Sequence, residues 1–393
     1  MPRTILHLDL DAFFCAVEEL REPSLHGKAF AVGGRPDQRG VVASCSYAAR
    51  AFGIHSAQPM SQALRLCPTL MIVPPSRGRY EDLSHQVMDR LHNLAPLVEQ
   101  ISIDEAFVDI SDLRQPAALI ARKLQQQIMD ELGLPCSVGV ASNKLVAKIA
   151  TDVGKKAARG HTTPGSLPDY PFAITVVPAG EEAQFLSTLP VSMLWGVGPK
   201  TEKRLSDLGV HRIGDLAGLG EANLAAMFGE NGRELARHAQ GLDERAVVTE
   251  RVTKSISQEN TFARDVSDDQ ALESMLKKLS AEVGRNLRAE HLAGTTVKLK
   301  LRWPDFTTLT RQTTLPTPTD QDDEIYSTAR ALLRHVREKS RAVRLIGVGL
   351  SNLGPPVRQM ELWGQESEKA RKLREVLDDL QLKYGKKIID RGK

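Results

Sequence analysis

Three acidic residues of this chain lie inside segments that are otherwise apolar. Asp9 belongs to ILHLDLDAFF (residues 5–14), and Asp104 and Glu105 belong to ISIDEAFVDI (residues 101–110). Buried carboxylates are unfavourable unless they are paired or bind a metal ion. Two divalent cations about 3.5–4 Å apart, bound by clustered carboxylates, can activate a hydroxyl group and neutralise a leaving phosphate. The pattern favours such a site, but a solvated strand face for Asp9 and a plain hairpin turn for the acidic pair are open alternatives.

The segments that contain these acids are predicted to be strands. Residues Ile5–Leu10 alternate apolar and polar side chains, which predicts a strand with one apolar face. Ile101–Ile103 and Ala106–Ile110 are predicted as two short strands that meet at the acidic pair. Further helices and a strand follow the same alternation, which is typical of a ferredoxin-like α/β sheet: helices 79–95, 116–132 and 143–151, and strand 136–140.

The remaining regions differ in composition, and 393 residues suggest two to four domains. The pattern predicts short strands and helices between the first strand and Pro74–Pro75, then, after the acidic sheet, a turn-rich loop at 157–171 and a strand at 172–177. Beyond it we predict an all-α module at 181–241, a polar linker at 242–254, a second α/β unit at 255–352 and a tail at 353–393.

Composition narrows the class of protein further. Hydrophobic residues make up 41% and charged residues 26% of the chain, as in ordinary globular proteins. No apolar stretch is long enough for a membrane span, and the N-terminus lacks a signal-peptide pattern. The four scattered cysteines predict reduced thiols and a cytoplasmic location. A net charge of +3 does not by itself indicate a nucleic-acid partner.

Five motifs in this order resemble the Y-family translesion DNA polymerases, and within them the bacterial polymerase IV branch. The resemblance covers nearly the whole chain and implies an α+β multidomain fold shaped as a right hand. That fold has a ferredoxin-like palm (1–10 and 74–177), small fingers (11–73), a helical thumb with a helix-hairpin-helix (178–241) and an α/β little finger (255–352). The motifs are HLDLDAFFCAVEE, RGVVASCSYAARAFGI, SIDEAFVDIS, SVGVASNKLVAKIATDVGK and LWGVGPKTEKRLSDLGV.

The resemblance gives the acids a role. It implies that Asp9 and Asp104 bridge two Mg²⁺ ions, for which Mn²⁺ is a possible substitute. It also implies that Glu105 completes the coordination of the catalytic ion and that the carbonyl of Leu10 is a further ligand. The reaction would join a deoxynucleoside triphosphate to the 3′-hydroxyl of a primer–template DNA. Low fidelity and synthesis across damaged template would accompany it.

The resemblance also implies a nucleotide site. Phe14 corresponds to the steric gate against ribose, and Phe13 supports the sugar. Without the flanking motif, these would be two core aromatics that open a helix. Tyr47 and Arg50, three residues apart on one helical face, correspond to a triphosphate clamp, to which Ser44 could add a donor.

A lysine of the family's triphosphate site also has a counterpart. Lys155 corresponds to it, although Lys156 occupies the position where the family has proline, so either lysine could act. Without the resemblance, Tyr47 and Arg50 could equally be a half-buried tyrosine beside a surface arginine.

Two regions are candidates for DNA binding. Gly196 and Gly198, followed by Lys200 and a helix, resemble a helix-hairpin-helix, in which backbone N–H groups and a helix N-terminus bind phosphate. A simple helix–helix turn is the alternative. In the second region, one face of a predicted strand is apolar and the other is basic, which suits contact with the DNA backbone. The basic residues are Lys298, Lys300 and Arg302. A strand face that is simply solvated is the alternative.

The tail contains a short peptide, residues 359–363. Gln359, Leu362 and Trp363 resemble the Gln-x-x-Leu-aromatic peptide with which bacterial polymerases bind the sliding clamp, although the family form usually ends in Phe. A patch that folds back on the protein is the alternative. We expect a monomer with no membrane partner. An idle DNA-binding scaffold and a nucleotidyl cyclase are the competing functions; the intact acids argue against the first, and the DNA-binding motifs against the second.

Overall fold

The computed structural model describes residues 3–159, 170–338 and 341–356, together with Val376. The chain separates into two compact units, residues 1–251 and 252–393. The peptide 359–363 and the centre of the predicted loop 157–171 lie outside the described residues.

Unit 1 contains strands and helices in its first two thirds and helices alone after them. The elements in chain order are β1 (Ile5–Leu10), α1 (Phe13–Arg21), β2 (Phe30–Gly33), β3 (Val42–Cys45), α2 (Tyr47–Arg50), α3 (Met60–Leu66), β4 (Met71–Val73), α4 (Arg77–Leu94), β5 (Val98–Gln100), β6 (Glu105–Asp109), α5 (Ala117–Leu132), β7 (Cys136–Ala141), α6 (Lys144–Arg159), β8 (Ile174–Val176), α7 (Glu182–Ser187), α8 (Pro199–Ser206), α9 (Ile213–Gly218), α10 (Glu221–Phe228) and α11 (Glu230–Ala239).

The main sheet of unit 1 has the order β5-β6-β1-β7-β8. Strand β1 lies at its centre and pairs antiparallel with β6 on one side and β7 on the other. The strands β1, β5, β6 and β7, with α4 and α5 between them, have the order and connections of the predicted ferredoxin-like arrangement, to which β8 adds a parallel edge. A separate small sheet of order β3-β2-β4 forms from residues 30–73.

Both faces of β1 are buried, where the alternation predicted only one. Leu6 and Leu8 pack into one core cluster, while His7 on the opposite face is fully buried against α6. The imidazole Nδ1 of His7 is hydrogen-bonded to the hydroxyl of Thr151 at 2.9 Å. A polar side chain is stable in that position because its neighbour supplies a hydrogen bond.

Two sequence predictions near the site were wrong. Residues 101–103 are not a strand, because the chain turns sharply after β5. The N–H groups of Ile101 and Ser102 both bond to the carbonyl of Glu105, at 3.0 and 3.3 Å, which closes the hairpin. Helix α6 also extends to Arg159, so the first residues of the predicted loop 157–171 are helical.

The first part of the predicted linker 242–254 packs on unit 1. The carboxylate of Asp243 accepts a hydrogen bond from the backbone N–H of Leu145, at the start of α6. Further along, the N–H of Val248 donates to the buried carboxylate of Glu99 at 2.9 Å. These contacts bind residues 243 and 248 of the predicted linker to α6 and β5.

The described residues of unit 2 form one antiparallel sheet of order β11-β10-β12-β9 with two helices against one face. Its core forms where α12 and α13 cover the apolar side chains of the strands. On β10 the predicted alternation is confirmed, because Val297, Leu299 and Leu301 are buried. The elements are β9 (Ser255–Val266), α12 (Asp269–Ala289), β10 (Ala293–Arg302), β11 (Thr308–Thr319), α13 (Asp322–Val336) and β12 (Val343–Gly354).

Candidate active site

The three predicted acids meet at the end of β1. Asp9 lies directly opposite Glu105 in the antiparallel register of β1 and β6. Residues in such pairs have Cβ atoms about 4.5–5.5 Å apart on one face of the sheet. The N–H of Leu10 donates to the carbonyl of Asp104 at 2.9 Å, which fixes the turn beside them. The sheet thus brings together residues that are about a hundred positions apart in sequence.

The environment of Asp104 disfavours its charged form. Burial raises the pKa of the Asp104 carboxyl group, and the nearby charges of Asp9 and Glu105 raise it further. The hydroxyl of Ser102 opposes this by donating to Asp104 Oδ1 at 2.5 Å. A carboxylate in this position gains from a nearby positive charge.

Two lysines of α6 place positive charges beside Glu105 and Asp9, the neighbours of Asp104 in the cluster. Lys148 and Lys155 are seven residues apart and so lie on the same helical face. The Nζ atom of Lys148 is 2.5 Å from Oε2 of Glu105. The Nζ atom of Lys155 is 2.5 Å from Oδ1 of Asp9 and 2.9 Å from Oδ1 of Asp11.

The ion pairs set the charge states of their members. Although burial alone would raise the pKa of Glu105, its contacts with His7 and Lys148 bring it to about 2. Burial likewise tends to lower the pKa of Lys155, but Asp9 and Asp11 raise it above its usual value. Glu105 and Lys155 are therefore charged near neutral pH.

The cluster has the donor chemistry of a divalent cation site. Its ligand atoms are carboxylate oxygens, which suit Mg²⁺ and Mn²⁺, and two ammonium groups already lie against them. Among the described residues, no group of three or more His, Cys, Asp or Glu side chains is arranged to bind an ion as it stands. Asp9 and Glu105 pair with the two lysines, so an ion bound by these two acids would have to compete with the ammonium groups.

The predicted steric-gate residue lies against another aromatic side chain. The ring of Phe14 stacks on that of Tyr80, with centroids 4.2 Å apart and an interplanar angle of 12°. The hydroxyl of Tyr80 donates to Oε1 of the buried Glu18 at 2.5 Å, which fixes the tyrosine. Phe13 is buried beside them. Phe14 is only partly buried and keeps one orientation because of this stack.

The predicted triphosphate residues lie on and beside the short helix α2. The guanidinium carbon of Arg50 is 4.7 Å from the ring centroid of Tyr47. Ser46 caps the helix by accepting from the N–H of Ala49. Ser44 is buried and lies 3.5 Å from the thiol of Cys15, a contact that leaves it little exposed surface for a phosphate.

Four of the candidate DNA-binding residues are exposed, whereas Lys300 and Arg302 are half-buried; the exposed residues are Gly196, Gly198, Lys200 and Lys298. Gly196 has φ +98°, a value that side chains rarely allow, and Gly198 precedes the first turn of α8. In unit 2, Lys298 is exposed, whereas Lys300 pairs with Glu259 at 2.6 Å. Arg302 donates to the hydroxyl of Thr308 at 2.9 Å.

Sequence reasoning did not assign four residues that contact the site: His7, Asp11, Lys148 and Tyr170. Two of them had a signal in the sequence. Asp11 follows Asp9 by two positions in the same motif, and Lys148 precedes Lys155 by two helical turns. Tyr170 had none, because its contacts depend on how the chain returns to the sheet after α6.

The sequence matches three profiles of the impB/mucB/samB family: the family itself over residues 8–152, its helix-hairpin-helix motif over 179–210 and its C-terminal domain over 253–362. It is 40% identical to a DNA polymerase IV of Desulfatibacillum aliphaticivorans, over 98% of this chain and 95% of that relative. This chain belongs to the Y family of DNA polymerases. A DNA polymerase IV of Dehalococcoides mccartyi is 38% identical over 100% of this chain and 97% of the relative.

Solved structures of Y-family enzymes have the same fold. A Y-family DNA polymerase chimera of Dbh and Dpo4 is 27% identical, with a TM-score of 0.78 over 90% of this chain and 99% of its own. A post-insertion binary complex of Dbh DNA polymerase gives a TM-score of 0.61 at 27% identity, over 90% of this chain and 99% of its own.

These matches confirm the predicted fold class and activity. The chain is a DNA-directed DNA polymerase of the translesion kind, and as a Y-family enzyme it depends on divalent metal ions. In the described parts of the chain, no helix combines the length and the apolar composition that crossing a bilayer needs.

Proposed function

We propose that this polymerase transfers nucleotides at the acid cluster, where Asp9, Asp104, Glu105 and the carbonyl of Leu10 bind two Mg²⁺ ions. The observation that carries the proposal is the convergence of the three acids at the end of one sheet, with the two lysine ammonium groups against them. Bound there, the ions would supply Lewis-acid activation of the primer hydroxyl and charge neutralisation of the phosphates. Mn²⁺ is chemically able to replace Mg²⁺.

Lys155 changes partner in this proposal. Its ammonium group pairs with Asp9 and Asp11, and once released from these acids it would be available to the triphosphate. Lys156 is exposed and has no such position. The guanidinium group of Arg50 and the hydroxyl of Tyr47 would bind the same phosphates, because an arginine fork suits phosphate oxygens.

The sugar of the incoming nucleotide would lie on Phe14. A ring held by Tyr80 leaves no room for a 2′-hydroxyl, which gives selection for deoxyribose without any hydrogen bond. Phe13 would support the gate from the core side. Ser44 is the weakest of the proposed nucleotide contacts, because it is buried against Cys15.

The right-hand domains provide the DNA grip in our proposal. Residues 1–10 and 74–177 are the palm, 11–73 the fingers, 178–241 the thumb and 255–352 the little finger. The thumb would bind phosphates through Gly196, Gly198 and Lys200, and the little finger through the basic face of β10. The supporting observation is that the three thumb residues and Lys298 are exposed, and that Lys300 and Arg302 are half-buried on the same strand as Lys298.

The tail would connect the enzyme to a sliding clamp through Gln359, Leu362 and Trp363. Aromatic anchors of this kind often dominate the binding energy of small interfaces. We further propose a cytoplasmic monomer of low fidelity, which leaves a lesion site after a few additions.

Primer extension tests the proposed function directly. Purified enzyme is given a primer–template that is undamaged or contains an abasic site, with Mg²⁺ or Mn²⁺. We expect extension on both templates and none in EDTA. An enzyme that binds the DNA but extends neither template with either ion would instead be the DNA-binding scaffold.

A further inference from the structure

An aromatic contact joins helix α2 to the segment that leads into β8. Tyr170 is the first residue described after α6, and its ring meets that of Tyr47 edge-on, with centroids 5.4 Å apart and an interplanar angle of 83°. The Tyr170 hydroxyl donates to Oε2 of Glu19, on α1, at 3.0 Å. Tyr170 thus contacts two helices of the proposed fingers from the proposed palm.

Tyr47 is fixed on two sides by these contacts. The guanidinium of Arg50 lies over its ring face, and Tyr170 contacts the ring edge-on. Edge-to-face packing is a favoured geometry for aromatic pairs because the ring edge and face carry opposite partial charges. Tyr47 is buried, so its ring has little freedom to turn away.

Tyr170 is in turn tied to the acid cluster by a short stretch of backbone. Two residues on, the N–H of Phe172 donates to Oδ2 of Asp11 at 3.1 Å. Asp11 is the buried acid that also contacts Lys155. Phe172 has φ +45°, an unfavourable conformation for a residue with a side chain, so its surroundings must impose it. Tyr47 is therefore connected to Asp11 through the ring of Tyr170 and the backbone of residues 170–172.

The hydroxyl of Tyr170 is a permanent donor. Burial raises the pKa of Tyr170, and the charge of Glu19 raises it further, so the phenol remains protonated. Glu19 also lies 3.3 Å from Nδ1 of His26. The carboxylate consequently has two partners that hold it in place as an acceptor.

Phosphoryl transfer requires the triphosphate and the attacking hydroxyl to be aligned to within a fraction of an ångström. Tyr47 and Arg50 lie on α2, which packs against the small sheet, whereas the acid cluster lies on the main sheet; residues 11–46 connect them. We propose that Tyr170 is a positioning residue, which sets Tyr47 and Arg50 relative to the acid cluster and thereby fixes the triphosphate of the incoming nucleotide. The inference rests on the proposed function of both groups.

Two substitutions separate the ring from the hydroxyl. Tyr170→Leu removes the ring contact and the hydrogen bond, whereas Tyr170→Phe removes only the hydrogen bond. In single-nucleotide incorporation under single-turnover conditions, we expect Tyr170→Leu to raise the KM for the nucleotide roughly tenfold and Tyr170→Phe about threefold. The maximal rate should change less than the KM, and DNA affinity should not change. Tyr326→Leu is the matched control, since Tyr326 also lies beside an arginine, Arg330, but in unit 2.

A double-mutant cycle tests whether Tyr170 acts through Tyr47. If it does, Tyr170→Leu should raise the KM by less than about twofold in a Tyr47→Leu background, because the contact is already lost. Equal effects in both backgrounds would overturn the inference, as would an unchanged KM in Tyr170→Leu. Should Tyr170→Leu fail to fold, Tyr170→Phe carries the same test at smaller amplitude. If the wild-type enzyme extends no primer, the proposed function fails; if it extends normally and the nucleotide KM is insensitive to Tyr170, only this inference fails.

Discussion

The acid cluster of unit 1 and the basic face of unit 2 both come from strands with alternating side chains, but their surroundings differ. Glu105 contacts His7 and Lys148, and its side chain is 19% exposed. Among the residues that the structure describes, Lys300 forms an ion pair with Glu259, and its side chain is 35% exposed. A charge with several partners in a buried site has one position, whereas a charge at the surface has many. Loss of an acidic residue of the cluster should therefore abolish primer extension, and loss of a basic residue of β10 should weaken DNA binding by degrees.

The largest expected effect is that of Asp104→Asn. The variant should lower primer extension by at least about 10³-fold, roughly 4 kcal/mol of barrier, because it lacks the carboxylate that we propose as a ligand of both ions. DNA affinity, measured by fluorescence anisotropy, should remain unchanged, because the proposed DNA contacts lie on the thumb and little finger. Extension within about tenfold of the wild type would remove Asp104 from the metal site.

The same variant should be more stable than the wild type when EDTA is present. Burial raises the pKa of Asp104 above its ordinary value of 3.8, so the charged form costs stability once the pH exceeds that value. Asparagine lacks this charge, and we expect the Tm at neutral pH to rise by roughly 1–4 °C. The gain should disappear as the pH falls toward 3.8, where the aspartate is protonated. A lower Tm would mean that the hydrogen bond from Ser102 to Asp104 more than compensates for the burial.

Phe14→Ala should have the next largest effect. Removal of a ring that is fixed against Tyr80 opens space for a 2′-hydroxyl, so the ribo-to-deoxy ratio of kcat/KM should rise by about 10²-fold. Phe306→Ala, at an exposed aromatic of unit 2, is the control. An unchanged ratio would take the gate role away from Phe14.

The variant Lys148→Met tests whether the lysine competes with a metal ion for the carboxylate of Glu105. Because the ammonium group of Lys148 is 2.5 Å from Glu105, an incoming cation must compete with it. Its removal should tighten Mn²⁺ binding about three- to tenfold, as measured by the electron paramagnetic resonance of free Mn²⁺. Lys156→Met, on an exposed position of the same helix, should bind Mn²⁺ like the wild type. Weaker binding by Lys148→Met would show that the lysine orients Glu105 as a ligand.

The smallest effects belong to the basic face. Alanine at Lys298, Lys300 and Arg302 should weaken DNA binding without base preference and lower the log–log salt slope by up to about 0.9 per lost phosphate contact. Glu259→Gln should strengthen binding, since it frees Lys300 from its ion pair. If the slope of the triple variant equals that of the wild type at full stability, the face does not contact DNA.

The sequence was most informative where local pattern and long-range contact agree. Alternation in β1 and β10 predicted both strands, and the rarity of acids in apolar segments pointed to Asp9 and Asp104. It was least informative where a polar residue gains its role from a distant partner. His7 is buried because Thr151 bonds to it, and Asp243 because the start of α6 does. Tyr170 contacts residues more than a hundred positions away, which no local pattern records.

The same limit explains the error at 101–103. The apolar residues Ile101 and Ile103 suggested a strand, but the hydrogen bonds to Glu105 impose a turn there. The contact between the N–H of Val248 and the buried carboxylate of Glu99 likewise joins residues about 150 positions apart, and no local pattern indicates it.

Whether the acids bind two ions together can be decided by counting the Mn²⁺ ions bound per chain. The measurement uses the enzyme bound to a template and a dideoxy-terminated primer with the correct deoxynucleoside triphosphate, so that no transfer occurs. We predict two Mn²⁺ ions per wild-type chain, and fewer than two for a variant with both Asp104→Ala and Glu105→Ala that still binds the DNA. One ion or none in the wild type, or two ions retained by the double variant, would rule out a two-ion site at these acids.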